Sequence, residues 1–207
     1  SQLLQLLLES PNYEKIIALT RQDLPHHPKL VLVLAEAGNI SEKFEWLKAD
    51  DVYCCLGTTM AKAGSKEKFR EIDYDYPLEL ARITHSLGAR QYLLVSALGA
   101  DKDSSLYYNK VKGEVEESIS AVGFETLHIF RPSLLLGPRA EKRSGEDAAK
   151  FFYKVFGLLI PKKYQAIDSC QVAAAMLHFA AAYKSGKFIH ESVELLGFRV
   201  PDFKTAK

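Results

Sequence analysis

The chain has 207 residues, of which 47% are hydrophobic, 11% aromatic and 26% charged, with 27 Lys and Arg set against 26 Asp and Glu. That length suits one domain with a sizeable core, and the near-neutral balance leaves no global field to draw in nucleic acid or an anionic membrane surface. No apolar run approaches the roughly 20 residues of a bilayer span and no signal-like segment opens the chain, so the expectation is a cytoplasmic protein without a membrane or nucleic-acid partner.

In chain order, Ser1 to Glu9 reads as a leucine-rich helix closed by Ser10-Pro11-Asn12, and Lys15 to Thr20 as a buried strand. A polar turn from Arg21 to Pro28 leads to a second apolar run, Leu30 to Leu34, and then to a short charged helix over Ser41 to Lys48. Asp51 to Gly57 is a strand ending at glycine, Lys66 to Leu87 a helix stopped by Gly88, and Gln91 to Ser96 the next strand. Leu106 to Val122 is helical with Gly123 as its stop, and Thr126 to Phe130 is a strand before Arg131-Pro132. Further helices are expected over Glu146 to Leu159 and Asp168 to Tyr183, and Phe188 to Leu196 is an apolar segment of either type. Short β-rich runs alternating with helices predict an α/β, doubly wound, mostly parallel sheet covered on both faces. The whole chain reads as one domain, with a small C-terminal lobe after Gly137.

The three cysteines make no disulfide framework, and adjacent Cys54 and Cys55 read as small buried hydrophobes on a strand. Six histidines include no pair at metal-ligand spacing: His26 and His27 sit in a loop, and His85, His128, His178 and His190 are scattered. No metal site is predicted.

In such a sheet, ligands bind beyond the carboxyl ends of the strands. Those positions hold Thr20-Arg21, Gly57-Thr58-Thr59, Ser96-Ala97 and Arg131-Pro132-Ser133, small or hydroxyl-bearing residues that let a ligand approach the backbone. The sharpest constellation is Ser96 at one tip and, on the following helix, Tyr108 with Lys112. A spacing of four puts phenol and ammonium on one helical face, where the cation favours a phenolate and lets the tyrosine relay a proton. Ser96 across the cleft could hydrogen-bond the reacting oxygen. Tyr183 and Lys187 share the same spacing, but Ser185-Gly186 between them should break a helix. Tyr107 has Val111 where a lysine would be needed.

Ser96 to Asp101 followed by Tyr107-Tyr-Asn-Lys-Val-Lys-Gly-Glu-Val-Glu116 resembles the short-chain dehydrogenase/reductase superfamily and its Ser/Tyr/Lys active site. Cys54 to Thr59, Lys112 to Glu116 and Phe130 to Pro138 resemble the atypical group that includes the Tat-interacting oxidoreductase-like proteins and their bacterial relatives. The resemblance implies an NAD(P)-binding Rossmann-like domain in which Tyr108 is the acid/base, Lys112 holds the nicotinamide ribose and Ser96 orients the substrate oxygen. It places Gly57 and Thr58 against the cofactor and Pro132 and Ser133 near the nicotinamide. Arg21 offers a guanidinium suited to a ribose 2′-phosphate where an acidic residue would bind a 2′-hydroxyl, so NADP is favoured over NAD, although Asp23 lies close by.

Relatives of this kind open with a strand and a glycine-rich turn that seats pyrophosphate on the first helix, whereas this sequence starts inside that helix without a Met. The expectation is that a strand and turn of about ten to fifteen residues precede Ser1. About 70 residues follow Gly137, which suggests a small or open substrate pocket, with Pro138 to Asp147 as a lid or solvated loop. The expected function is NADP-dependent oxidation or reduction of a small carbonyl or alcohol; the competing reading is a cofactor-binding regulatory or scaffold protein with little turnover. No kinase motif is present. The long helices leave a homodimer open, with Ile72, Leu78, Leu80, Ile83, Val111, Val115 and Ile119 assigned to the core.

Overall fold

The computed structural model describes residues 2–35, 40–136 and 161–200. The helix expected over residues 146–159 and the loop over 138–147 lie outside them. Helix α1 (Gln2–Glu9) leads into β1 (Ile16–Thr20) and β2 (Leu30–Leu34), which pair in parallel, followed by a 3₁₀ turn over Ser41–Trp46. Strand β3 (Asp51–Cys54) is followed by α2 (Met60–Ala63), α3 (Lys66–Arg70), a π-helical turn over Glu71–Asp75 and α4 (Tyr76–Ser86). Then come β4 (Gln91–Val95), α5 (Tyr107–Ser120) and β5 (Thr126–Arg131). The chain continues through β6 (Leu135–Leu136), β7 (Ile167–Asp168), α6 (Ser169–Ala182), β8 (Gly186–Glu191) and α7 (Ser192–Leu195). The segment left open at Phe188 to Leu196 is thus strand and then helix, and the short β6–β7 ladder was not foreseen.

All of these pairings are parallel: β3-β4-β5-β8 form one sheet, β1-β2 a second and β6-β7 a third. The alternation of β4 shows why helices cover both faces. Tyr92 and Leu94 enter a core with Leu78, Leu80 and Ala81 of α4 and Val115 and Ile119 of α5, while Leu93 enters another with Phe130 and Val172, Ala175 and Met176 of α6. The expected core residues Leu78, Leu80, Val111, Val115 and Ile119 are buried, and Ile72 and Ile83 pack against the same cluster. Cys54 is buried as expected, but Cys55 is exposed, because the strand ends at Cys54 and the next side chain leaves the sheet.

Two histidines that look scattered in the sequence meet. His128 of β5 and His190 of β8 sit on one face of adjacent strands, with ring nitrogens 2.9 Å apart, stacked among Phe130, Phe179 and Phe188. Glu194 of α7 accepts from His190 Nδ1 at 3.1 Å, and His128 Nε2 is buried without a partner among the described residues. Burial, with the second imidazole alongside, pushes His128 down to about 4; burial also lowers His190. An unfolded chain therefore takes up a proton below about pH 6.5 that the folded chain refuses, so stability is full above that pH and falls as pH drops toward 4. The expected loss from His128 is about 3 kcal/mol across that window. Urea unfolding at pH 7.5 and at pH 5 checks it: the pH dependence should shrink in His128→Phe, and an unchanged difference would refute the assignment.

Candidate active site

The site is built on α5 and on the loops that reach it from β3, β4 and β5. Ser96 follows β4 directly, its N–H donating to Phe130 O at 2.7 Å, and the loop turns back through Gly99 in the left-handed region (φ +80°). Leu98 N–H donates to Pro132 O (2.9 Å) and Asp101 N–H to Asn109 O (3.0 Å), tying the loop to the segment after β5 and to the start of α5. The approach to α5 is close enough that a Cβ on Gly113 would lie 2.1 Å from Lys102 N.

Two faces of α5 carry different contacts. Outward, Glu114 pairs with Arg70, and Ser118 bonds the Tyr74 hydroxyl at 2.9 Å. Inward, the buried Lys112 ammonium lies 2.8 Å from Asp73 Oδ1, while Ser96 Oγ donates to Glu116. Asp73 is carried on the π-helical turn, a local widening of the helix often found at functional sites. Its Oδ2 accepts from Thr58 N–H at 2.8 Å. The Oδ1 contact with Lys112 is a charge contact; among the described residues this buried oxygen has no directed hydrogen bond. Gly57 lies against the same pair, since a Cβ there would meet Asp73 Oδ1 at 3.1 Å and Lys112 Nζ at 3.5 Å.

The structure thus brings Gly57, Thr58 and Lys112 together and puts Ser96 on the same helix face one turn further along, at Glu116. Tyr108, one turn before Lys112, is half-buried with its ring 5.4 Å from that of fully buried Phe69, and its hydroxyl has no hydrogen-bond partner among the described residues. Tyr107 is set aside, its hydroxyl donating to Lys66 O. So is Tyr183, which ends α6 and bonds Glu125, while Lys187 lies on β8. Arg21 is exposed just beyond β1. Pro132 is buried, and the Ser133 hydroxyl is taken up by Gln165 O and Ser192, leaving that segment only its backbone to offer.

Sequence reasoning missed Asp73, Glu116 and the partner role of Arg131. Glu116 carried a signal, standing four residues after Lys112 and eight after Tyr108. Asp73 carried none that separated it from Glu71 and Asp75 on the same helix. A buried ammonium beside an acceptor without a directed hydrogen bond, under a glycine at a strand tip, fits the ribose hydroxyls of a dinucleotide, which can both donate and accept.

No family model matches the chain. Among solved structures, UDP-N-acetylglucosamine 4-epimerase from Methanobrevibacter ruminantium M1 superposes with a TM-score of 0.69 at 14% identity, covering 92% of this chain and 72% of that one. The Bordetella bronchiseptica enzyme WbmH, solved with NAD+, gives 0.67 at 12% identity over 92% and 71%. The fold is therefore Rossmann-like α/β.

Among curated relatives, Protein FMP52, mitochondrial, of Candida albicans is 32% identical over 206 residues, 95% of this chain and 89% of that protein. Rat Protein HTATIP2 is 41% identical over 138 residues (65% and 55%), and Protein fmp52, mitochondrial, of Emericella nidulans 44% over 102 residues (49% and 44%). The matches thus span about half the length of the rat and Emericella proteins. The chain belongs to the atypical short-chain dehydrogenase/reductases, in the group of HTATIP2 and FMP52. The expectation of a cytoplasmic protein is corrected by the same comparison, because the Emericella, Kluyveromyces lactis and Candida relatives are all named mitochondrial.

Proposed function

We propose that the chain is a mitochondrial, NADP-dependent oxidoreductase that interconverts a small carbonyl and its alcohol. The observation that carries this reading is the buried Lys112–Asp73 pair under Gly57, with the Tyr108 hydroxyl, unpartnered among the described residues, one helical turn away. Lys112 would hold the nicotinamide ribose, Gly57 and Thr58 would line the dinucleotide, and Arg21 would meet a 2′-phosphate with a charge-assisted bond. The backbone of Pro132 and Ser133 would border the nicotinamide, which when bound supplies the hydride donor or acceptor. Tyr108 then gives its proton to the carbonyl oxygen in reduction, or takes it from the alcohol in oxidation, and the Lys112 cation stabilises the phenolate left behind.

The test mixes the full chain with NADPH and a panel of small aldehydes, ketones and quinones. Tyr108→Phe is expected to lower kcat by about 10²–10⁴-fold, with NADPH affinity little changed. Unchanged turnover in that variant refutes the role of Tyr108. NADPH binding with no turnover on any substrate refutes the enzyme and favours a cofactor sensor. Arg21→Ala should weaken NADPH by about tenfold and leave NADH unaffected, with the difference shrinking at high salt; equal affinities in both proteins would remove the basis for preferring NADP.

A further inference from the structure

The hydroxyl of Ser96 has one proton to give, and its acceptor is visible: Glu116, buried on α5. Glu116 is itself gripped by Arg131 at the end of β5, whose Nη2 lies 2.6 Å from Oε2 and whose Nε lies 3.1 Å from Oε1. The remaining Arg131 nitrogen, Nη1, reaches Glu191 at 3.3 Å. A carboxylate held in a guanidinium fork can only accept, so the proton in the Ser96–Glu116 bond belongs to the serine. The Ser96 backbone is fixed as well, by its N–H on Phe130 O, so its side chain cannot turn without breaking the bond to Glu116.

We propose that Glu116, locked by Arg131, is a positioning residue that commits the Ser96 proton away from the cleft, so that Ser96 meets the substrate with its lone pairs alone. This rests on the oxidoreductase reading and alters it in one respect. Ser96 accepts a hydrogen bond from an alcohol or from the Tyr108 hydroxyl and gives none to a carbonyl oxygen, so Tyr108 is the only one of the two that can protonate that oxygen.

Two measurements on the full chain test it, and the first needs no turnover. In Ser96→Cys, the thiol introduced beside Glu116 is titrated by its thiolate absorbance, taken as a difference from the parent protein so that Cys54, Cys55 and Cys170 cancel. The charged groups beside it are the Glu116 carboxylate, which bonds Ser96, and the Arg131 guanidinium that holds it, while the Lys112–Asp73 pair stands one turn back on α5. Adding Glu116→Gln removes an acceptor carboxylate that opposes thiolate formation, so the titration should move down by about one pH unit. No movement overturns the proposal.

The second is kinetic. Ser96→Ala and Glu116→Gln should each cut kcat by about 10–100-fold with KM changed less than about threefold, and the double variant should be no slower than the slower single one. Losses that multiply would show that Glu116 does not act through Ser96. If Glu116→Gln fails to fold, Glu116→Asp replaces it in both arms, keeping the charge for Arg131 while drawing the oxygens back from Ser96, and the thiol titration should then move in the same direction by less than about one pH unit. If the parent protein turns over no substrate, the oxidoreductase reading fails, and the thiol titration still decides for or against Glu116.

Discussion

Asp73→Ala is expected to destabilise the protein by about 3–5 kcal/mol at pH 7, because it strips the counter-charge from a buried ammonium. Asp73 is 1% exposed and Lys112 5%, and the same carboxylate accepts the Thr58 N–H, so one substitution orphans a buried charge and a backbone donor together. The size of the effect reflects the cost of isolation and says little about the net worth of the pair. Replacing both partners with apolar groups of similar shape, as in Asp73→Leu with Lys112→Met, should therefore recover much of the loss even though the ion pair is gone. Urea denaturation of the two single variants and the double closes the cycle. A double variant as unstable as the sum of the singles would mean that packing around the π-helical turn, and not the unpaired charge, sets the cost. Cofactor affinity should fall in all three variants, since each removes or misplaces groups assigned to the ribose.

Gly113→Ala separates helix propensity from packing by the sign of its effect. Alanine is the better helix former by about 1 kcal/mol in an exposed helix interior. At Gly113, however, the new Cβ would fall 2.1 Å from Lys102 N and 2.3 Å from the Asp101 carbonyl carbon, both backbone atoms of a loop tied to α5. Either α5 or that loop must move, so the expected outcome is a loss of about 1–3 kcal/mol. In a chain of this size that corresponds to a fall in Tm of several degrees, about 2–4 °C per kcal/mol. The loop begins at Ser96, so turnover should drop further than stability alone explains. A variant with raised Tm would show that the loop stands off the helix.

The strands from β1 to β5 were legible because β-branched and leucine runs alternate with glycine-stopped helices: Gly88 and Gly123 both take positive φ where the sequence places the ends of helices. The Tyr108–Lys112 relation was legible because helical spacing alone fixes it. What surrounds Lys112 was not, since Asp73 lies 39 positions upstream and reaches it only through a helical irregularity with no composition of its own. Ser96 could be found at a strand tip, yet its engagement with Glu116 depends on the register of α5 against β4 and β5, a tertiary quantity. His128 and His190 illustrate the same limit: 62 positions apart, they meet because β8 runs beside β5, and no local pattern announces that pairing.

The β1-β2 pair and the four-stranded sheet carry different parts of the proposed site. Among the described residues no ladder joins β1 to β3; Tyr13, which donates to Asp51 Oδ2 at 2.7 Å and lies edge-on to Tyr53, is one of the links between the two parts. Because Arg21 follows β1 and Tyr108 stands on α5, discrimination between the two dinucleotides and proton transfer would rest on separate elements, and each could be altered with little effect on the other.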